Sequence, residues 1–349
     1  MTARLEEWLE LTKEAPLEPD LPICDPHHHL WDYPDTLPEE RVSLSARPMR
    51  HYLLNDLIND ISGGHNIVKT VFIQCSSMYR KDGPPELRPV GEIEFVQDIA
   101  AQAASGQYGN TEVAAGIIGF ADFTLGVAVA PVLEAHIAIS RNNFRGVRYI
   151  TTWDATIPSS LAVIPHLLLD AKFREGFAYL RRYGLSFDAW MYHTQLSDMV
   201  SLARAFPDLP IILNHIGGPL GTGPYAGKHD EVFALWKKKI ADLATCPNVM
   251  VKLGGLGMPR IGFGWSERPA PPDSVELAEK MAPHFNWCIE RFGPDRCMFE
   301  SNFPVDKVSF SYTVIWNAFK RMTKDFSPAE RAALFHGTAV KAYRLDKNG

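Results

Sequence analysis

Residues 23–32, Ile-Cys-Asp-Pro-His-His-His-Leu-Trp-Asp, hold more side chains able to do chemistry than any other stretch of the chain. If 23–29 form a strand, side chains alternate between its faces, so His27 and His29 point one way and His28 the other. Two imidazoles at i and i+2 on a strand end suit one divalent cation, because the neutral ring nitrogen is the usual protein ligand. The same string also reads as a solvent-exposed histidine cluster, since short motifs specify little by themselves. What converges on it decides between the two.

Further candidates sit in or at the ends of short apolar runs. Gln74 and Cys75 end the run 68–75. Arg148 lies in 145–150, Tyr192 and His193 end 185–193, and Asn214 and His215 end 209–215. Lys252 lies in 248–254, and Glu300 and Asn302 lie in 296–302, on one face if the strand period of two holds. With 23–29 and 113–121 these make eight runs rich in Val, Ile and Leu. Between them apolar residues recur at i, i+3 and i+4, which predicts helices near 50–62, 91–105, 129–140, 168–183, 195–206, 230–245, 273–292 and 312–323, with a last one at 328–344. Ser327-Pro328 supplies a cap and a first-turn proline, and Asp273-Ser274 opens another helix.

Apolar strands separated by crossover helices predict a parallel sheet covered on both faces. Eight such units predict an α/β fold closed into a (β/α)8 TIM barrel. The Pro/Gly-rich pieces 81–91, 216–228 and 254–272 each follow a strand and become loops over the strand C-terminal ends, where barrels place their chemistry. Inside a barrel these ionisable groups are buried, which is costly unless they are paired or metal-bound. Any one of them alone reads equally as a satisfied core residue. Glu300 in particular is either a site carboxylate or the partner of Arg148 or Lys252 in a structural ion pair. Several strands ending in His, or in a carboxylate with Asn, point to one site.

The ordered motifs His27-His28-His29-Leu30-Trp31-Asp32, Gly146-Val147-Arg148, Leu213-Asn214-His215-Ile216-Gly217-Gly218-Pro219, Val251-Lys252-Leu253-Gly254-Gly255-Leu256 and Phe299-Glu300-Ser301-Asn302-Phe303-Pro304-Val305-Asp306 resemble the amidohydrolase superfamily. The resemblance runs from about residue 22 to 345. It is nearest to the amidohydrolase-2 branch of L-fuconolactonases, sulfomuconolactone hydrolases and 2-pyrone-4,6-dicarboxylate lactonases. It implies a distorted TIM barrel and a hydrolase of a small, carboxylated lactone. His27, His29 and His193 would hold a divalent metal, zinc or else manganese. His193, His215, Glu300 and Asn302 would be the catalytic set, with Arg148, Lys252, Gln74, Trp153 and Tyr192 around the substrate. Relatives often carry Asp in the eighth-strand position filled here by Asn302. Asn takes up no proton near neutral pH, so Glu300 is the candidate replacement base and a metal-independent reaction stays open. Non-oxidative decarboxylation of an unsaturated or aromatic acid, and a silent small-molecule-binding barrel, are the alternatives.

Composition narrows the field. The 349 residues, 46% hydrophobic and 22% charged, fit one globular domain, 1–349. A net charge of −6 argues against a nucleic-acid partner, and no apolar run reaches the roughly 18 residues a membrane span needs. Five scattered cysteines without a Cys-x-x-Cys pair, and an acidic, amphipathic N-terminus unlike a signal peptide, predict a cytoplasmic protein with reduced thiols. No Gly-x-Ser-x-Gly elbow is present, which removes the serine-hydrolase class. The partner is then a small-molecule substrate; oligomeric state stays open, a homo-oligomer included.

Overall fold

The computed structural model describes residues 2–39, 42, 46–157 and 164–346. Eight parallel strands form one sheet in sequential order: β1 (Ile23–His28), β2 (Ile67–Ile73), β3 (Glu112–Gly119), β4 (Phe144–Ile150), β5 (Ser186–Trp190), β6 (Ile211–Leu213), β7 (Val249–Leu253) and β8 (Cys297–Phe299). The last strand meets the first through a His28–Phe303 bridge, with His29 N–H donating to the Phe303 carbonyl at 2.8 Å and Asn302 N–H to the His27 carbonyl at 3.0 Å. This is a (β/α)8 barrel. Helices follow the strands: α1 (Leu54–Ile61), α2 (Val90–Ala103), α3 (Ala130–Ile139), α4 (Ala171–Phe177), α5 (Leu196–Ala205), α6 (His229–Ala244), α7 (Ser274–Phe292) and α8 (Tyr312–Met322). The caps read from sequence form: Asp273 accepts from Glu276 N–H, and Ser327 and Glu330 cap each other's backbone N–H groups.

Alternation along the strands sorts their side chains into two cores. Ile67, Phe72, Ile117, Val147, Phe187, Ile211, Val251 and Phe299 face the helices. Cys24, Val71, Ile118, Ile212 and Met298 face the lumen, where they meet Ala339, Val340 and Tyr343 from the C-terminal helix Thr338–Tyr343. Above that apolar layer the lumen turns ionisable. Arg148 is in register with Asp188, and Lys252 with Met298.

Three strands stop short of their sequence limits. The run 185–193 leaves the ladder after Trp190, 209–215 after Leu213, and 296–302 after Phe299. His215 and Ile216 (φ +53° and +50°) and Asn302 (φ +56°) adopt left-handed backbone, which turns the chain out of the extended path. The expectation that Glu300 and Asn302 share a face therefore fails. The Glu300 carboxyl turns to His215, and the Asn302 amide turns to Asp306. Trp236 of α6, fully buried, donates its indole N–H to the Ile216 carbonyl at 2.7 Å and fixes the strained turn from beneath.

Candidate active site

His27 and His29 meet at the mouth of the lumen with ring centroids 4.9 Å apart, whereas His28 turns outward to Thr70 Oγ1 (2.9 Å). His29 holds the Ile73 carbonyl through Nδ1 at 2.7 Å, which puts the proton on Nδ1 and leaves the Nε2 lone pair turned away from the strand. His215 lies against His27, with centroids 4.5 Å apart, and against the edge of Trp190.

Glu300 bridges these rings. His215 Nδ1 is 2.6 Å from Glu300 Oε1, which also accepts the His215 backbone N–H at 3.1 Å. His27 Nδ1 is 2.7 Å from Glu300 Oε2, close enough for an ion pair but off the hydrogen-bonding axis. All three side chains are buried. Burial pushes the Glu300 carboxyl up to about 8, against the pull of Lys252, and drives His27 and His215 well below the ordinary imidazole range. Near neutral pH the bridge is two neutral imidazoles and a carboxyl that holds its proton.

The structural ion pair expected between Glu300 and Arg148 or Lys252 does not form. Lys252 instead donates to Asp188 (2.8 Å) and to the Pro26 carbonyl (2.8 Å), and lies 3.3 Å from His27 Nδ1. Asp188 is held in turn by Asn214 Nδ2 (2.9 Å) and the Tyr343 hydroxyl (2.8 Å). All the donors of Lys252 are thus engaged beneath the site, and none faces a substrate. Arg148 differs. One guanidinium nitrogen donates to the Gln74 carbonyl at 2.7 Å, its Nε is buried without a partner, and no ion pair reaches it among the described residues.

The remaining expected residues spread around the mouth. Gln74 donates to Ser76 Oγ (2.7 Å) and Tyr79 (3.2 Å) and leaves Oε1 unpartnered. Tyr192 receives Arg260 Nη1 at its hydroxyl (2.6 Å). Trp153 is half-buried and tied by its backbone to Gln195 (3.0 Å). His193 lies past the end of β5. Its Nδ1 accepts Leu220 N–H at 3.3 Å, and its Nε2 is buried and unpartnered. Asn302 Nδ2 donates to Asp306 Oδ1 at 2.8 Å, and its Oδ1 is also unpartnered.

A model of the amidohydrolase family matches residues 24–345. The chain belongs to the amidohydrolase family. It is a hydrolase, 35% identical over 334 residues to the Sinorhizobium fredii protein y4mH, covering 93% of this chain and 99% of that one. It is 27% identical over 233 residues to the L-fucono-1,5-lactonase of Burkholderia multivorans, 66% of this chain and 72% of that protein. Among solved structures it resembles a zinc-bound amidohydrolase from Burkholderia multivorans, with a TM-score of 0.70 at 22% identity, covering 93% of this chain and 99% of that one.

In this amidohydrolase the donors that come together are His27, His215 and Glu300, whose ligand atoms lie within 4.8 Å of one another. Of the metal set expected from sequence, His27 is inside this group, His29 is beside it, and His193 is not part of it. Two imidazoles and one carboxylate are an ordinary open zinc donor set, and the orphaned, buried His27 Nε2 is a further site in want of a partner. The residues therefore fit a divalent ion.

Sequence reasoning missed Asp25, Asp188 and Asp306 as parts of the site. Asp25 accepts Ser301 N–H (3.0 Å) and the Tyr312 hydroxyl (2.9 Å), and so ties β8 to β1 beneath the histidines. Asp306 accepts Gly257 N–H at 3.1 Å. The alternation that placed Arg148 and Lys252 in the lumen would equally have placed Asp188 there. Asp306, in a short turn past the end of β8, gave no periodic signal.

Proposed function

We propose that this amidohydrolase opens a small cyclic ester carrying a carboxylate, by attack of water on the ring carbonyl. The observation that carries the reading is Arg148, a buried guanidinium with no ion pair among the described residues, beside the His27–Glu300–His215 bridge. A buried unpaired charge is costly, so an anionic group of the substrate is its natural partner. Arg260, held at the Tyr192 hydroxyl and ring, offers a second cation at the rim. The kinship to a lactonase supports ester chemistry.

Hydrolysis moves one proton off the attacking water and one onto the leaving alkoxide. Glu300, when ionised, and His215 are placed to take the first, and the shared bridge can return it to the ring oxygen. Burial, helped by Lys252 3.3 Å from His27 Nδ1, keeps that imidazole neutral. His27, His215 and Glu300, with His29 alongside, would hold zinc, or manganese in its place. Such an ion supplies carbonyl polarisation and a lowered pKa for bound water. The imidazole–carboxyl bridge also offers a proton path of its own, so hydrolysis without metal belongs to the same reading. Five free cysteines support action in a reducing compartment, the cytoplasm; no helix among the described residues is long and apolar enough to cross a membrane.

The test is a panel of carboxylated and neutral lactones assayed by acid release, with elemental analysis of protein purified without chelator. Arg148→Met should raise KM about 10- to 100-fold for the carboxylated members and leave neutral ones nearly unchanged, the scale of a charge-assisted hydrogen bond. Release of CO2 from an unsaturated acid without any lactone opening would replace this reading with decarboxylation.

A further inference from the structure

A second cavity, of about 100 Å3, lies between the loop after β6 and the loop after β7. The two loops meet glycine to glycine. Gly221 N–H donates to the Arg260 carbonyl at 3.0 Å, and a Cβ on Gly221 would fall 2.1 Å from the Ile261 oxygen. Tyr225, Phe233 and Phe263 contribute walls, and no Asp, Glu, Lys or Arg lines the space. His229 is exposed at the rim, its ring 6.5 Å from that of Phe263 and 5.9 Å from that of His284.

His284, on α7, is 3% exposed and packs on Phe233 (4.7 Å) and Trp236 (5.0 Å). Its Nδ1 is buried without a partner, and neither ring nitrogen makes a hydrogen bond among the described residues. Leaving a buried polar group unmet is costly, so an imidazole in this state marks a place for a ligand atom. Burial, helped by His229, pushes its pKa down to about 3, so the ring is neutral and offers one donor and one acceptor. The volume is several times the roughly 15 Å3 a single water needs and suits one ring.

We propose that this cavity binds a small, neutral hydroxylated aromatic, of which phenol is the simplest, its ring among Phe233, Phe263 and Tyr225 and its hydroxyl bonded to His284. A charged ligand finds no counter-ion there, and a purely apolar one leaves the imidazole unmet. The site is separate from the catalytic bridge but borders His193, because the same loop carries Tyr225 and Leu220, whose ring and N–H meet that histidine at 5.3 and 3.3 Å.

The probes are phenol and toluene, titrated into the full-length protein while the histidine ring resonances are followed by long-range 1H–15N NMR. Phenol should shift the His284 nitrogens saturably, and toluene should bind about 10-fold more weakly. His284→Phe, close in shape, should weaken phenol about 10-fold and leave toluene unchanged. The wild-type titration decides the matter even if that variant fails to fold. Absence of a saturable shift at His284, equal affinity for the two probes, or phenol shifts confined to His27 and His215 would each overturn the proposal.

Discussion

Glu300 is a carboxyl with an imidazole at each oxygen and no water-facing surface, so its charge depends on its burial, opposed by Lys252 and the His215 backbone N–H. Its pKa near 8 means that the fraction present as the carboxylate base increases through that pH. Glu300→Gln preserves the shape and the acceptor for His215 N–H but removes the titrating proton. Turnover should fall by about 10²- to 10⁴-fold, the usual scale of general acid–base catalysis, and the rise in kcat through pH 8 should vanish. Wild-type turnover in that variant would remove Glu300 from the mechanism. The histidine triplet separates by face in the same way. His27→Ala should abolish hydrolysis. His28→Ala loses the bond to Thr70 and should lower Tm while leaving kcat within a few-fold; equal losses of activity would contradict the assignment.

The site is built at the level of elements from places where strands end. β5, β6 and β8 terminate one to three residues before the groups that matter, and left-handed backbone aims His215 and Asn302 differently from a strand. Strained backbone of this kind persists only where its surroundings hold it. Gly255 is part of that support: at φ +73° it lies so close to His215 that an added Cβ would come within 2.5 Å of the imidazole. Gly255→Ala should therefore displace His215 and reduce kcat by at least ~10-fold while the far-UV circular dichroism stays native, since a small misplacement of a catalytic group is costly. Unchanged kcat would show that the loop after β7 yields without moving the ring.

Over the whole molecule, the balance of buried titratable groups sets the response to acid. Burial pushes His28 and His284 down to about 3 and His65, His136 and His193 to about 4, and places His27, His29 and His215 well below 6.5. Each stays neutral in the fold and takes up a proton on unfolding below pH 6.5, so that stability is present above 6.5 and lost as pH falls toward 4. Burial also raises Asp25 to about 6, Glu92 to about 7 and Glu300 to about 8, and pushes Asp60 and Asp306 up, which favours the fold in acid and opposes the trend, but the eight histidines outnumber these five carboxyls. Urea denaturation should show the unfolding free energy falling steadily from pH 6.5 to 5; a flat or rising profile would mean these imidazoles are more hydrated than their burial implies. The amino-acid order was enough for the eight-unit alternation, the barrel, and the strands that carry His27, Arg148, Lys252 and Glu300, because periods of two and 3.6 are local properties of the chain. Which of those groups meet was decided only by closure of the barrel. Glu300 paired with His27 and His215 rather than with Arg148 or Lys252 because Asp188, unremarkable in sequence, already held the lysine. His193 stayed outside the three-donor group because β5 ends at Trp190. Such pairings depend on register across the sheet and on left-handed turns, and neither is encoded in a spacing along one strand.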